Sequence, residues 1–74
     1  MAKPRISNNI RRLRFDADEM TQKDLAAIVG VTRQTIVAIE KAKYSPTLEL
    51  AFKISRAFNT PLEEVFIYED GDAE

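Results

Sequence analysis

The chain has 74 residues, of which 45% are hydrophobic and 31% are charged, a size that suits one small domain. It contains no Cys and no His, which excludes disulfides, thiolate sites, the usual zinc ligands and the usual general base. The net charge of -1 is unevenly distributed, since residues 1–62 carry all eleven Lys and Arg against six acidic residues. The last twelve residues carry six acidic residues and no basic one.

No apolar run approaches the roughly twenty residues that a membrane-spanning helix needs, and the N-terminus lacks a signal-peptide pattern. We therefore expect a cytoplasmic protein with no membrane partner. The expected organisation is a single domain over residues 1–74, with an ordered core at about 4–68 and an acidic tail at 69–74.

The N-terminal segment is predicted to hold an edge strand at Pro4–Ile6, followed by a first helix from Asn8 to about Phe15. Ile10, Leu13 and Phe15 are expected on the core side of this helix, with Arg11 and Arg12 facing outward. The acidic residues Asp16, Asp18 and Glu19 lack the Gly and the distal Glu of a calcium loop, so they predict a solvated connection.

The stretch Thr21–Glu40 predicts two short helices joined by a tight turn. Thr21 and Asp24 have the spacing of a capping box, and the small Ala26 allows another helix to cross close by. Gly30 follows the last apolar residue of the first helix and can adopt the left-handed conformation that ends it. The chain is therefore expected to turn sharply at this glycine.

The second of these helices has an apolar inner side and a mixed outer face. Thr32 is a good N-cap for it, Ile36 and Ile39 form an apolar pair, and Val31 fills the angle between the helices. The outer face carries Arg33, Gln34, Val37 and Ala38. Residues of these types on one helix can contact base edges in a DNA groove.

The remaining chain predicts two further helices and a strand. Thr47 is the expected cap of helix 4, and Phe52 does not share a face with Leu50 and Ile54. The helix carries more than one apolar stripe, made up of Leu48, Leu50, Ala51, Ile54 and Phe58. Asn59 should end helix 4, and Thr60, Pro61 and Glu63 predict a capped start for a short helix 5 ending at Val65.

The segment Val65–Tyr68 is rich in β-branched and aromatic residues, which favours a strand that pairs with Pro4–Ile6. Residues 69–74 lack an apolar anchor and are expected to fray.

The joint pattern of TQxxLA, a GV turn, TIxxIE and KYSPTLELA resembles the phage-repressor-like Xre family of transcriptional regulators, over about Asn8–Phe66. The resemblance implies an all-α, five-helix domain whose helices 2 and 3 form a helix-turn-helix, with a small two-stranded antiparallel ribbon from the terminal segments. It also implies an ion pair between Arg14 and Glu40, and a loop with Lys43 and Tyr44 that touches the DNA backbone.

The resulting hypothesis is a homodimer that binds a palindromic site in double-stranded DNA as a repressor. Arg33 and Gln34 would read bases, and Val37 or Ala38 would contact a thymine methyl. Phosphate or supporting contacts are expected from Gln22, Thr32, Thr35, Lys43 and Tyr44. The apolar residues expected at the dimer interface are Phe52, Leu62, Phe66 and Tyr68.

An enzyme is not expected, because no histidine can activate Ser7, Ser45 or Ser55 and two glycines cannot build a phosphate loop. No cofactor, metal or small-molecule ligand is inferred. Two alternatives stay open at this point: an antitoxin or co-regulator that binds a protein through its C-terminal surface, and an interaction module that binds no DNA.

Overall fold

The computed structural model describes residues 6–69 and contains five helices and two short strands within that range. In chain order the elements are β1 (Ile6–Asn8), α1 (Ile10–Asp16), α2 (Gln22–Val29), α3 (Arg33–Glu40), α4 (Leu48–Ala57), α5 (Leu62–Val65) and β2 (Phe66–Tyr68). The predicted fold class, a mostly helical domain with a small terminal ribbon, is confirmed. The predictions for Pro4 and for the tail beyond Glu69 fall outside the described residues.

The two strands pair antiparallel, with Ile6 opposite Tyr68 and Asn8 opposite Phe66. The prediction that helix 1 begins near Asn8 was therefore wrong. Asn8 is the last residue of β1, its side-chain nitrogen donates to the Ile39 carbonyl at 2.8 Å, and its Oδ1 accepts from the Ile10 amide at 3.2 Å. These bonds fix Asn8 in the strand, and α1 starts two residues later.

The ends of α2 and α3 follow the predicted signals. Thr21 and Asp24 form a complete capping box on α2, and Gly30 ends that helix with φ +81°. The Thr32 side chain accepts from the Thr35 amide and caps α3. Local side-chain to backbone bonds thus set the starts of α2 and α3, and the left-handed backbone of Gly30 sets the end of α2.

The junction between α4 and α5 differs from the prediction. Asn59 does end α4, with φ +52°, and the Thr60 amide donates back to the Ser55 carbonyl at 3.0 Å. The Thr60 hydroxyl donates to the Phe58 carbonyl at 2.9 Å, so Thr60 belongs to the end of α4. The cap position of α5 is Pro61, with no side-chain capping bond, and the predicted Thr60–Glu63 capping box was wrong.

The core lies where all five helices meet. The apolar residues that are at least nine-tenths buried are Ile10, Leu25, Ala26, Val29, Ile36, Ile39, Leu50, Ala51, Ile54 and Val65. Leu13, Met20, Val31, Phe58 and Phe66 are partly buried against this cluster. Among residues 6–69, no helix combines the length and the apolar composition that a bilayer crossing requires.

Phe15, which was predicted on the core side of helix 1, is 67% exposed, and Leu48, one of the apolar residues of helix 4, is 68% exposed. Phe15 is five positions beyond the buried Ile10, which places it about 140° around the helix axis from it. Leu48 is two positions before Leu50, about 160° away on α4. In both helices the core face is too narrow to include these side chains.

Candidate nucleic-acid interface

The turn between α2 and α3 brings the two helices close together. The Ala26 carbonyl accepts from the amides of Gly30 at 2.8 Å and Val31 at 3.0 Å, so the chain reverses over one residue of left-handed backbone. Ala26 is only 4% exposed, and its methyl group leaves room for the packing of neighbouring elements. The turn thus sets where α3 begins relative to the end of α2.

Helix α3 has one buried face and one accessible face. Ile36 and Ile39 are at most 1% exposed and anchor the helix in the core. Arg33 and Gln34, in its first turn, are exposed, while Val37 and Ala38 are half-buried. The exposed first turn therefore offers a guanidinium and an amide, with small apolar side chains beside them.

An ion pair with several hydrogen bonds holds α3 against α1 and α2. The Arg14 guanidinium donates to Glu40 through Nε at 2.6 Å and through a terminal nitrogen at 3.0 Å. Gln22 also donates to the Glu40 carboxylate, at 3.2 Å, and Arg14 donates to the Met20 carbonyl at 3.0 Å. The Glu40 carboxylate thus links the end of α3 to α1 and to the start of α2, and Arg14 links α1 to the loop before α2.

The burial of the Arg14–Glu40 pair determines how it contributes to stability and to the orientation of the helices. The Arg14 and Glu40 side chains are 15% and 9% exposed, so both charges lose most of their hydration. The two-point geometry compensates for that loss, because both carboxylate oxygens accept bonds. Such a pair fixes the relative orientation of the helices more than it raises net stability.

The predicted supporting residues surround α3. The hydroxyls of Thr32 and Thr35 lie 3.0 Å apart at its start. Gln22 is half-buried, and its amide nitrogen carries a second N–H that can still reach an outside acceptor. After the end of α3, Lys43 and Tyr44 are exposed, and the Lys43 amide donates to the Ala38 carbonyl.

The four residues predicted for a dimer interface lie on other elements. Phe52 of α4 and Tyr68 of β2 are 48% and 64% exposed, whereas Leu62 and Phe66 are half-buried. Ile6, which was not among the predicted interface residues, is 37% exposed and lies opposite Tyr68 in the ribbon. Ile6 can be placed beside Tyr68 only when the pairing register of the two strands is known.

A family model described as helix-turn-helix matches residues 10–65, which is most of the chain and includes all five helices. The chain belongs to the Xre-type helix-turn-helix family. This confirms the resemblance that the sequence motifs indicated.

Three relatives extend this result. An uncharacterised HTH-type transcriptional regulator of Methanocaldococcus jannaschii is 58% identical over 53 residues, which cover 72% of this chain and 80% of the relative. The Bacillus subtilis HTH-type transcriptional regulator YgzD, also uncharacterised, is 45% identical over 65 residues, covering 88% of this chain and 97% of the relative. The transcriptional repressor RstR of a cryptic Vibrio cholerae phage is 36% identical over 60 residues, covering 81% of this chain and 53% of the relative.

The Xre-type chain is therefore a transcriptional regulator with a helix-turn-helix domain, and it is not an enzyme. In this family context, α2 and α3 are the helix-turn-helix, and α3 is its second helix. The exposed side chains of its first turn are the ones to consider for contacts with DNA.

Proposed function

We propose that the protein is a repressor that binds a palindromic operator in double-stranded DNA as a homodimer, with α3 of each copy in the major groove. The observation that supports this most directly is the exposed first turn of α3, which is held in place by the Arg14–Glu40–Gln22 network. In helix-turn-helix proteins the N-terminal residues of the second helix contact base edges.

Base reading falls to Arg33 and Gln34. A guanidinium can donate to both O6 and N7 of guanine, and an amide can pair with N6 and N7 of adenine. Val37 and Ala38 are half-buried and follow on the same helix, where a small apolar group suits a thymine methyl. Each copy would thus read a short half-site of a few base pairs.

The supporting residues would fix the register on the backbone. Gln22, Thr32 and Thr35 lie at the starts of α2 and α3, and their polar groups can reach phosphate oxygens there. Lys43 and Tyr44 flank the other end of α3 and are exposed. Contacts at both ends of the helix would position it without carrying sequence information themselves.

The dimer would form through the apolar side chains outside the helix-turn-helix: Phe52, Leu62, Phe66 and Tyr68. Exposed aromatic rings cost little to order and bury a large area when covered. Two copies related by a twofold axis would place their α3 helices roughly 34 Å apart, in successive turns of the major groove. The bound protein would repress transcription by occupying the operator, and the similarity to a phage transcriptional repressor supports repression over activation. A cytoplasmic location remains a prediction.

The test is binding to a randomised operator library by the wild type, Arg33→Ala and Gln34→Ala. Each variant should lose about 1 to 3 kcal/mol on the cognate site and relax the preference at one base pair of each half-site. Lys53→Ala is the control, because Lys53 lies on α4 beside Glu49 at 3.6 Å and should leave binding unchanged. Unaltered preference in both α3 variants would show that this face does not read the bases.

Light scattering of the protein alone and on DNA tests the stoichiometry separately. Two copies per operator are expected, and Tyr68→Ser combined with Phe52→Ser should weaken association without changing the preferred half-site. A single copy per site, with full affinity retained in the double variant, would remove the dimer from the proposal.

A further inference from the structure

Helix α1 points two adjacent arginines toward different surfaces. Arg11 lines the open clefts beside the helix-turn-helix, together with residues of α2 and α3. Arg12 lines a different cleft, together with the acidic residues Glu63 and Glu64. Two neighbouring residues of equal charge and exposure therefore have opposite electrostatic surroundings.

The larger of the Arg11 clefts, of about 660 Å³, lies between α1 and the starts of α2 and α3. Its cationic side chains include Arg11, Lys23 and the proposed base-reading Arg33, with Glu19 also in its wall. Arg14 contributes as well, but its charge is balanced by Glu40. Within residues 6–69, the ion pairs are Arg14–Glu40 and Glu49–Lys53, so neither Arg11 nor Lys23 belongs to one.

Phe15 forms an apolar part of the same cleft and is 67% exposed. Phe15 therefore adds apolar surface to the wall of a cleft whose charged side chains are mostly cationic.

A second cleft, of about 320 Å³, continues along α3 and includes Arg11, Val37 and Lys41. Arg11 is therefore common to the cleft that contains Arg33 and the cleft that contains Val37. It lies beside both ends of the α3 segment proposed to enter the major groove.

We propose that Arg11 and Lys23 bind phosphate oxygens of the DNA strand that borders the major groove at the starts of α2 and α3. The ligand is a backbone phosphodiester, and α1 becomes part of the DNA interface. This inference rests on the proposed function, and it adds two residues that were not among the predicted DNA contacts. Because phosphates are the same in every sequence, these contacts raise affinity and not base preference.

The experiment compares the DNA affinity of Arg11→Ala with that of Arg12→Ala, on a cognate operator and on unrelated duplex DNA. The salt concentration is varied between 50 and 200 mM, because 6–10 phosphate contacts change the affinity by about 10³ or more over that range. Arg11→Ala should weaken binding about 10-fold at the low-salt end on both duplexes. The slope of log affinity against log salt should fall by about 0.9 for each copy bound. Arg12→Ala should match the wild type, and Lys23→Ala should resemble Arg11→Ala while Lys53→Ala does not.

Arg11→Lys separates the charge from the fold. It should retain the salt slope and most of the affinity, since a lysine also binds phosphate, and its denaturation midpoint should equal that of Arg11→Ala. Equal affinity and slope for Arg11→Ala and Arg12→Ala would overturn the proposal. A change of base preference in Arg11→Ala would also overturn it.

These outcomes are distinguishable from failure of the proposed function. If the wild type binds its operator with base preference lost in Arg33→Ala, the role of α3 stands whatever Arg11 does. Phosphate contacts are strongest at 50 mM salt, the lowest concentration in this series. If the wild type binds no duplex even there, both proposals fail together.

Discussion

The helix-turn-helix and the terminal ribbon are held in place by different kinds of contact. In the helix-turn-helix, the Thr21–Asp24 box and the Thr32 cap join residues three positions apart. The ribbon depends on distant partners: Asn8 donates to the Ile39 carbonyl and Asn9 donates to the Glu64 carbonyl, across 31 and 55 positions. One region is thus specified locally and the other by tertiary contacts.

This difference has a consequence for the mechanism. The bond from Asn8 ends on a carbonyl near the end of α3, so the ribbon also supports the helix proposed to read DNA. The Arg14–Glu40 pair, between residues 26 positions apart in the sequence, ties the same helix to α1. Helix α3 has local signals at its start, whereas long-range contacts from Asn8, Arg14 and Gln22 hold its end.

Removal of the ion pair should have the largest effect. Glu40→Ala leaves Arg14 mostly buried without its carboxylate and takes an acceptor from Gln22, so we expect a loss of about 3 kcal/mol in the free energy of unfolding. Urea denaturation at low temperature measures it. Glu49→Ala is the matched control, because the Glu49–Lys53 pair is exposed and should cost less than about 1 kcal/mol.

If Glu40→Ala and Glu49→Ala cost the same, the Arg14–Glu40 pair is not what holds α3 against α1. The ribbon, through Asn8, would then be the long-range support of α3.

Loss of the Asn8 side chain should have an intermediate effect. Asn8→Ala removes the bonds to the Ile39 carbonyl and the Ile10 amide, both part-buried, with an expected cost of about 2 kcal/mol. Asn9→Ala, which removes an exposed bond to Glu64, should cost about 1 kcal/mol or less. Amide hydrogen exchange should show faster opening of the ribbon than of α2 in the Asn8 variant.

Equal protection of the ribbon and α2 in Asn8→Ala would show that the two regions open as one unit. The distinction between locally and distantly specified regions would then hold for geometry but not for stability.

The same distinction explains what sequence reasoning could predict. The caps at Thr21, Thr32 and Thr47 and the turn at Gly30 were predictable, because the signal and its effect lie within four residues. The α5 cap was wrong because two local signals competed for Thr60, and the end of α4 took its hydroxyl. The strand position of Asn8 depends on Ile39, which no local pattern reveals.

The candidate site follows the same rule. The outer face of α3 was predictable from helical periodicity. The roles proposed for Arg11 and Lys23 were not, since only the packing of α1 against the helix-turn-helix distinguishes Arg11 from Arg12. Phe15 is a different case: it was assigned to the core, but its position about 140° around α1 from Ile10 means that helical periodicity alone could have placed it on the surface.

The smallest expected effect concerns the C-terminal ends of the two helices of the helix-turn-helix. Gly30 ends α2 at φ +81°, whereas α3 ends with an alanine, Ala42, at φ +60°, and the following amide donates to the Ala38 carbonyl at 3.0 Å. A left-handed alanine costs about 1 kcal/mol or more, and glycine recovers that cost minus about 0.5 to 1 kcal/mol of chain entropy. Ala42→Gly should therefore stabilise the protein by up to about 0.5 kcal/mol.

Gly30→Ala is the reciprocal variant, and no atom lies within 4 Å of the added Cβ, so no steric clash is added. The same backbone cost and chain-entropy offset then give an expected loss of up to about 0.5 kcal/mol. Thermal denaturation resolves both, since 1 kcal/mol shifts the midpoint of a domain this small by about 4 to 8 °C. Opposite signs for the two variants would show that local backbone geometry governs both ends. A loss in Ala42→Gly would mean that the end of α3 relies on the alanine methyl as well as on the contacts from Asn8 and Arg14, which would place it with the distantly specified region.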